Sequence, residues 1–405
     1  MRKYNYEAKD SKTNKIVKAS VQADSERSAA KLLIDQGFTP LIIKEDESDK
    51  SKLFSFLNRI TTKDKIVFTR QFATLIAAGL PLATSLHTIL EQTENKRFRD
   101  IIQDVIASVE GGRTLADSFG KHPEVFDKVF LALIAAGEAS GTLDQSLTRL
   151  ANQQEKDEET MSRIRGALTY PVIVLVVILG VMAFMLLTVV PQVAQLYKSL
   201  GKELPLLTKL MIALADLAIH WWWLMIIALG AAIFFIAQWL KTESGIYTAA
   251  LIKLNVPMFK NMFRKLYMQR FARTGQSLLS SGVAMLDMLS ITGEALNNVI
   301  VQKSVEKAAD KVKGGKALSE ALAPEAYILP LLPQMIKIGE QSGKIDEMLG
   351  KVSIIYEREL DEQIKAISTA IEPVLMIVLA VVAGSMVAAI LFPIYNLVNT
   401  ITTVH

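Results

Sequence analysis

Two copies of one short motif carry the most distinctive chemistry in this chain: Gly137-Glu-Ala-Ser-Gly141-Thr-Leu-Asp144 and Gly339-Glu-Gln-Ser-Gly343-Lys-Ile-Asp346. One reading makes Gly137, Glu138, Gly141 and Asp144, with Gly339, Glu340, Gly343 and Asp346, a partner-contact site in which the two glutamates meet the partner. The other reading is a plain helix-turn-helix connection, with left-handed glycines and an aspartate at the positive end of the next helix. The turn is favoured, and the two readings are compatible. Acidic clusters at Glu155-Lys-Asp-Glu-Glu159 and Glu357-Arg-Glu-Leu-Asp-Glu362 could hold a divalent cation or a basic surface. However, Glu159 and Arg163, and again Asp361 and Lys365, are spaced i, i+4 with the acid first. That spacing predicts a solvated helix face stitched by ion pairs.

Other chemistry is not supported. Lys313-Gly-Gly-Lys-Ala317 and the Gly339–Lys344 stretch lack phosphate-loop spacing and follow no strand. His87, His122, His220 and His405 show no paired metal-ligand spacing, and the chain has no cysteine. The 45 basic and 41 acidic residues nearly cancel, so nothing suggests a nucleic-acid-binding face. No catalytic constellation emerges. The expectation is a structural protein, not an enzyme, with no cofactor and no metal site.

The elements around these motifs alternate between water-exposed and membrane segments. Hydrophobic residues make up 51% of the 405, and mean hydropathy is +0.29, which fits a protein that is part membrane and part water-exposed. Val172–Val190 and Val374–Phe392 are uncharged runs long enough to cross a bilayer as helices. Trp221–Ala237 is a third run, flanked by Trp221, Trp222 and Trp223 at one end and Trp239 at the other, which matches two interfacial aromatic belts. Thr188 and Ser385 are the polar side chains in these cores, and no ionisable group lies inside, so an ion-coupled carrier is disfavoured. Ala380, Gly384 and Ala388 form a small-xxx-small register that permits self-association.

Basic residues set the expected orientation. Lys156, Arg163, Arg165, Lys241, Lys253, Lys260, Arg264, Lys265, Arg358 and Lys365 flank one side, against Lys198, Lys202 and Lys209 on the other. The large flanking segments are therefore expected in the cytoplasm, with the C-terminus outward. The N-terminus has no apolar run of signal-peptide type, so the chain is expected to start in the cytoplasm.

An internal repeat organises the whole. Phe68, Arg70, Leu75, Gly79 and Leu86 recur as Phe271, Arg273, Leu278, Gly282 and Leu289, all at an offset of 203. Gly111-Gly112 and Leu115 recur at the same offset as Gly314-Gly315 and Leu318. After a one-residue deletion the offset is 202, through the two turn motifs, Leu147/Leu349, Pro171/Pro373 and Pro191/Pro393. Two parallel copies of a domain plus a span need one extra crossing, which the Trp-bracketed helix supplies.

The expected fold class is mainly α: a polytopic membrane protein with three transmembrane helices, two repeated cytoplasmic helical bundles and a small N-terminal ββαβ module. The divisions are residues 1–50 (module and charged linker), 62–170 (bundle, copy 1), 171–192 (first span), 193–216 (outer loop), 217–240 (second span), 265–372 (bundle, copy 2), 373–395 (third span) and 396–405 (outer tail). Within the module, strands are expected at Lys3–Ala8, Ile16–Gln22 and Pro40–Ile43, with a helix from Asp24-Ser25 to Gly37 and a linker at Lys44–Lys52. Each bundle is expected to hold five or six helices of about 8 to 25 residues.

A leader, then an L-x-x-x-G-[LV] turn, G-G-[RK]-x-L, G-E-x-S-G-x-[LI]-D, proline and span given twice in that order, resembles the PilC/GspF family, the inner-membrane platform proteins of type IV pilus and type II secretion machines. The resemblance covers about Tyr4 to Val398. It implies a homo-oligomeric protein of the bacterial inner membrane that couples a cytoplasmic hexameric ATPase to insertion or extraction of pilins or pseudopilins, alongside other assembly proteins. The turns at Gly137–Asp144 and Gly339–Asp346 become candidate ATPase contacts, and pilins would meet the spans. The alternatives are a channel or transporter subunit and a receptor for a cytoplasmic ligand.

Overall fold

The computed structural model describes residues 2–10, 16–23, 30, 32–33, 38–45, 59–189, 191–192, 195, 199, 206–257 and 259–402. Strands β1 (Arg2–Asp10), β2 (Ile16–Ala23) and β3 (Phe38–Glu45) form an antiparallel sheet in the order β2-β1-β3. A register shift between Glu7 and Ala8 sets Pro40 opposite Ala8, on an edge strand where a residue without an N–H is tolerated. The expected helix from Asp24 to Gly37 lies outside the described residues apart from Ala30, Leu32 and the buried Leu33. Of the charged linker, Lys44 and Glu45 belong to β3, and the rest lies outside the described residues.

Six helices follow: α1 (Thr62–Ala77), α2 (Leu82–Gln92), α3 (Lys96–Glu110), α4 (Leu115–Gly120), α5 (Lys128–Ser140) and α6 (Leu143–Phe184). Side chains start them: Thr61 and Asp64 form a reciprocal capping box, and Asn95, Thr114 and Asp127 cap α3, α4 and α5. Glycines stop three of the turns, at Gly79, Gly112 and Gly141, with φ of +83°, +83° and +71°. A short π-helical turn, Met185–Val189, continues α6. Then come α7 (Leu206–Trp239) and α8 (Glu243–Asn255). A second set of six follows: α9 (Lys260–Leu279), α10 (Met285–Ala295), α11 (Val299–Lys313), α12 (Leu318–Leu322), α13 (Leu331–Ser342) and α14 (Ile345–Thr402).

The two sets are filled differently. In the first, Phe68, Phe72, Phe98, Phe119, Phe126 and Phe130 pack with ring centroids 4.5 to 6.4 Å apart. In the second, the position of Phe72 is Gly275 and that of Ser85 is Met288, both in the repeat register. A Cβ on Gly275 would lie 3.3 Å from Met288 Sδ and 3.2 Å from Leu349 Cδ1. The bulk has moved from one wall of the gap to the other. Gly275→Phe is therefore expected to cost about 1–3 kcal/mol by overpacking, and Met288→Ser in the same chain to recover part of it. Thermal unfolding of the two single variants and the double variant checks this.

Three expected boundaries shift. Residues 193–216 are not all loop, because α7 begins at Leu206. The second helical unit starts before 265, with α9 at Lys260, and α8 docks on it through buried Ala250 and Leu254. α8 turns 96° from the end of α7, which Gly245 permits: a Cβ there would stand 1.9 Å from the Trp239 carbonyl oxygen. The last helices are also longer than about 25 residues, since α6 spans 42 and α14 spans 58. Pro171 sits inside α6 without ending it.

Two stretches, Leu143–Val189 and Ile345–Ala388, are long and apolar enough to cross a membrane, with mean hydropathies of 3.2 and 2.2 in their most apolar windows. Side chains along them face outward, with Val176 60% and Val381 66% exposed, as a lipid-facing surface requires. The end of α7, Ile226–Trp239, qualifies jointly with α8 across their bend.

Candidate partner-contact site

Each turn motif is built by backbone geometry. α5 ends at Gly141, whose φ of +71° lets the Thr142 N–H reach back to the Gly137 carbonyl at 2.9 Å. α13 ends in the same way: Gly343 has φ of +71°, and the Lys344 N–H donates to the Gly339 carbonyl at 2.8 Å. Gly137 and Gly339 are needed for a different reason, which is close approach. A Cβ on Gly137 would lie 2.6 Å from Ser146 Oγ and 3.1 Å from Leu143 Cα, and one on Gly339 would lie 2.7 Å from Ile345 Cα. Asp144 and Asp346 occupy the first turns of α6 and α14, and Asp346 accepts a 3.0 Å bond from Ser280 Oγ.

The glutamates, Glu138 exposed and Glu340 partly buried, each reach back to a short helix. Glu138 accepts from the Leu115 N–H at 2.8 Å and the Ala116 N–H at 3.2 Å, satisfying the free N-terminal donors of α4. Glu340 accepts from the Ser319 N–H at 3.2 Å and Ser319 Oγ at 2.5 Å at the start of α12. Both carboxylates therefore weld the turn to the start of the short helix that follows the Gly-Gly turn, a structural role beside the expected partner contact. The signal was present in the sequence: Leu115 and Leu318 precede the two glutamates by nearly the same interval. What the turns leave outward is the tip: Ala139, Ser140 and Gly141, and Gln341, Ser342 and Gly343, are exposed. Glu340→Ala is expected to lower stability by about 1–3 kcal/mol by stranding donors at the α12 N-terminus. Chemical denaturation of the full chain reads this.

The acidic clusters also do more than decorate a solvated face. Arg70 on α1 forks onto Glu155 of α6 at 2.6 and 2.5 Å, and Arg273 on α9 bonds Glu357 of α14 at 2.8 Å. The Arg70 hydrogen bond holds the Glu155 carboxyl below its ordinary range. Its contribution is therefore present at neutral pH and lost as pH falls through that lowered range. Both partners are more than a third exposed, so Glu155→Gln is expected to cost under about 1 kcal/mol at pH 7. The expected Glu159–Arg163 pair is present, whereas Asp361 pairs with Arg163 of the first half and not with Lys365. The cause is the parallel packing of α6 on α14, where Ile164 and Ala167 meet Leu360, Ile364 and Ile367.

Between the halves, Lys128 bonds Glu294 at 2.6 Å, and buried Gln153 donates to Thr274 Oγ1 at 2.9 Å. A cavity of about 760 Å³ opens beside them, with Lys65, Asp127, Asp157, Arg165, Arg270 and Glu294 in its wall. Burial raises the Asp157 carboxyl against the pull of Arg270 and Arg273. Among the described residues no group of three His, Cys, Asp or Glu side chains could hold a metal ion.

These features define a helical membrane protein in which two six-helix units are carried on long helices with apolar ends. The chain belongs to the type II secretion system protein F family. The model of that family, described as "Type II secretion system (T2SS), protein F", matches twice, at residues 68–191 and 271–393, and the family's N-terminal domain matches residues 1–44. The chain is 39% identical over 404 residues, 98% of its length and 99% of the relative's, to a type IV pilus assembly protein PilC of Thermus thermophilus. It is 34% identical to the PilC of Pseudomonas aeruginosa, covering 90% of this chain and 97% of that one. It is 32% identical to a type II secretion system protein F of Aeromonas hydrophila, covering 94% and 99%.

Proposed function

We propose that this chain is the inner-membrane platform on which type IV pili or type II secretion pseudopili are assembled. It is an assembly component and not an enzyme. Family membership over nearly the full length supports this reading. The finer reading is mechanical: a cytoplasmic hexameric ATPase pushes on the two bundles, at about 62–170 and 265–372, and the motion is delivered to pilins or pseudopilins lying against the spans.

The observation that carries the mechanical part is helix continuity. α6 leaves its turn at Thr142 and runs unbroken through Pro171 to Phe184, and α14 runs from Ile345 to Thr402. At 1.5 Å per residue these are rods of about 63 and 87 Å that run from each turn on through the apolar segment. In this reading the second half of α7, which half-exposed Trp221 and Trp223 open and Trp239 closes, is the return crossing, so there are three spans. Both bundles then share the cytoplasmic face, with the N-terminus cytoplasmic and the C-terminus outward.

The motif residues Gly137, Glu138, Gly141 and Asp144, with Gly339, Glu340, Gly343 and Asp346, set the shape of two turn tips, and the tips meet the ATPase. Replacing the equivalent exposed tip residues together, Ala139→Arg and Gln341→Arg, is expected to cut co-purification of the cognate secretion ATPase at least about tenfold, as loss of interface hot spots does. The melting temperature should stay unchanged. Undiminished ATPase capture would remove the tips from the account.

A further inference from the structure

The two halves touch head-to-tail. α5 and α6 of the first pack on α9, α10 and α14 of the second, and among the described residues α13 and α14 make no comparable contact with α1 and α2. Three cations on α6, each seven residues apart, make the junction. Arg149 donates to the Ser280 carbonyl at 2.5 Å, Lys156 reaches Glu357 at 3.5 Å, and Arg163 pairs with Asp361. Two helical turns separate successive members, so all three lie on one stripe.

The same stripe exists on α14 with nothing against it. In the repeat register the three cations become Lys351, Arg358 and Lys365. All three keep the charge and are exposed, and none has an ion pair among the described residues. Between them Gln153 becomes Ile355, 36% exposed, beside Ile354, 53% exposed. On the first half the acids of the complementary face are held, among the described residues, from within that half: Arg70 holds Glu155, as Arg273 holds Glu357, and Lys156 and Arg163 hold Glu159. Ser280 corresponds to Ala77 at the end of α1, Glu357 to Glu155, Asp361 to Glu159, and Arg270 to Val67, which is 45% exposed.

We propose that a second copy of this chain docks here, its α1, α2 and α6 face seated on the α13–α14 face of the first. The contact within one chain is thereby repeated between chains: Lys351 takes the α1 C-terminal carbonyls, Arg358 and Lys365 take Glu155 and Glu159, and Ile354 and Ile355 cover Val67. Such a heterologous contact, with every copy upright in the same bilayer, repeats from copy to copy and forms a ring when its rotation closes. The inference rests on the self-association named for the platform and supplies its surface.

The absence of cysteine makes the test clean. Full-length Ile355→Cys and Gln71→Cys chains, carrying different tags, are co-expressed and treated in membranes with a short bismaleimide; these positions correspond to the touching pair Gln153 and Thr274. The expected result is a two-tag adduct of twice the chain mass, absent when either variant is expressed alone. No adduct from the mixture, or equal adducts from one variant alone, which would indicate a twofold contact, overturns the proposal. Adding K351E, R358E and K365E to the Ile355→Cys chain is expected to lower the yield at least about tenfold, and an unchanged yield also overturns it. Failure here leaves the assembly role standing, because ATPase capture by the turn tips is measured separately.

Discussion

A flexible Gly-Ser-Gly-Ser segment inserted after Tyr170 in α6 or after Glu372 in α14 should reduce fibre assembly to background while membrane insertion and ATPase capture persist. The reason is the rod. Both helices run from the turns into the apolar segment without a break, and a stiff helix transmits a displacement that a Gly/Ser linker absorbs. Seven inserted residues of strong helix-forming sequence provide the control. They keep the phase within about 20° and lengthen the rod by roughly 10 Å, so partial assembly should survive. Counting fibres in the three backgrounds, with the chain's membrane level measured in each, checks the expectation.

Gly339→Ala should be among the most damaging single-methyl changes in the molecule. Its Cβ would lie 2.7 Å from Ile345 Cα, and backbone cannot swing aside as a side chain can. α13 and α14 would have to part at the turn that Lys344 and Gly339 close, at a cost of about 2–3 kcal/mol. Gly137→Ala meets Ser146 Oγ first, which can rotate, although Ser146 Cβ at 2.7 Å and Leu143 Cα at 3.1 Å remain. The expected order is therefore a larger loss for Gly339 than for Gly137. Thermal unfolding of the detergent-solubilised chain ranks them, and equal stability to wild type for both would refute the close-approach argument.

Much of this architecture was legible because its signals are local. The glycines at 79, 112, 141, 282, 315 and 343 all adopt positive φ, and the helical periodicity of α1 and α9 placed their inward faces. Uncharged runs marked the apolar ends of α6 and α14. Long-range choices were not visible in the same way. Nothing in the spacing of Asp361 and Lys365 says that Arg163, 198 residues away, takes the carboxylate, because that depends on α6 lying parallel to α14. The motif spacing marks Glu138 and Glu340 as candidate partner contacts but does not show that each carboxylate bonds the start of the preceding short helix. α8 was missed as an element. Its Thr242 cap is an ordinary start signal, but the preceding apolar run drew attention to the span and not to the corner at Gly245.

Among these expectations the arrangement of the two bundles on one face of the bilayer matters most, since a single drive can act on both only there. Alkaline phosphatase, active only outside the cytoplasm, fused after His405 reads it directly. The account predicts high activity from that fusion and from one in the 198–203 segment, with none from a fusion after Val256. An inactive phosphatase after His405, together with fluorescence from a green fluorescent protein at the same place, would contradict it.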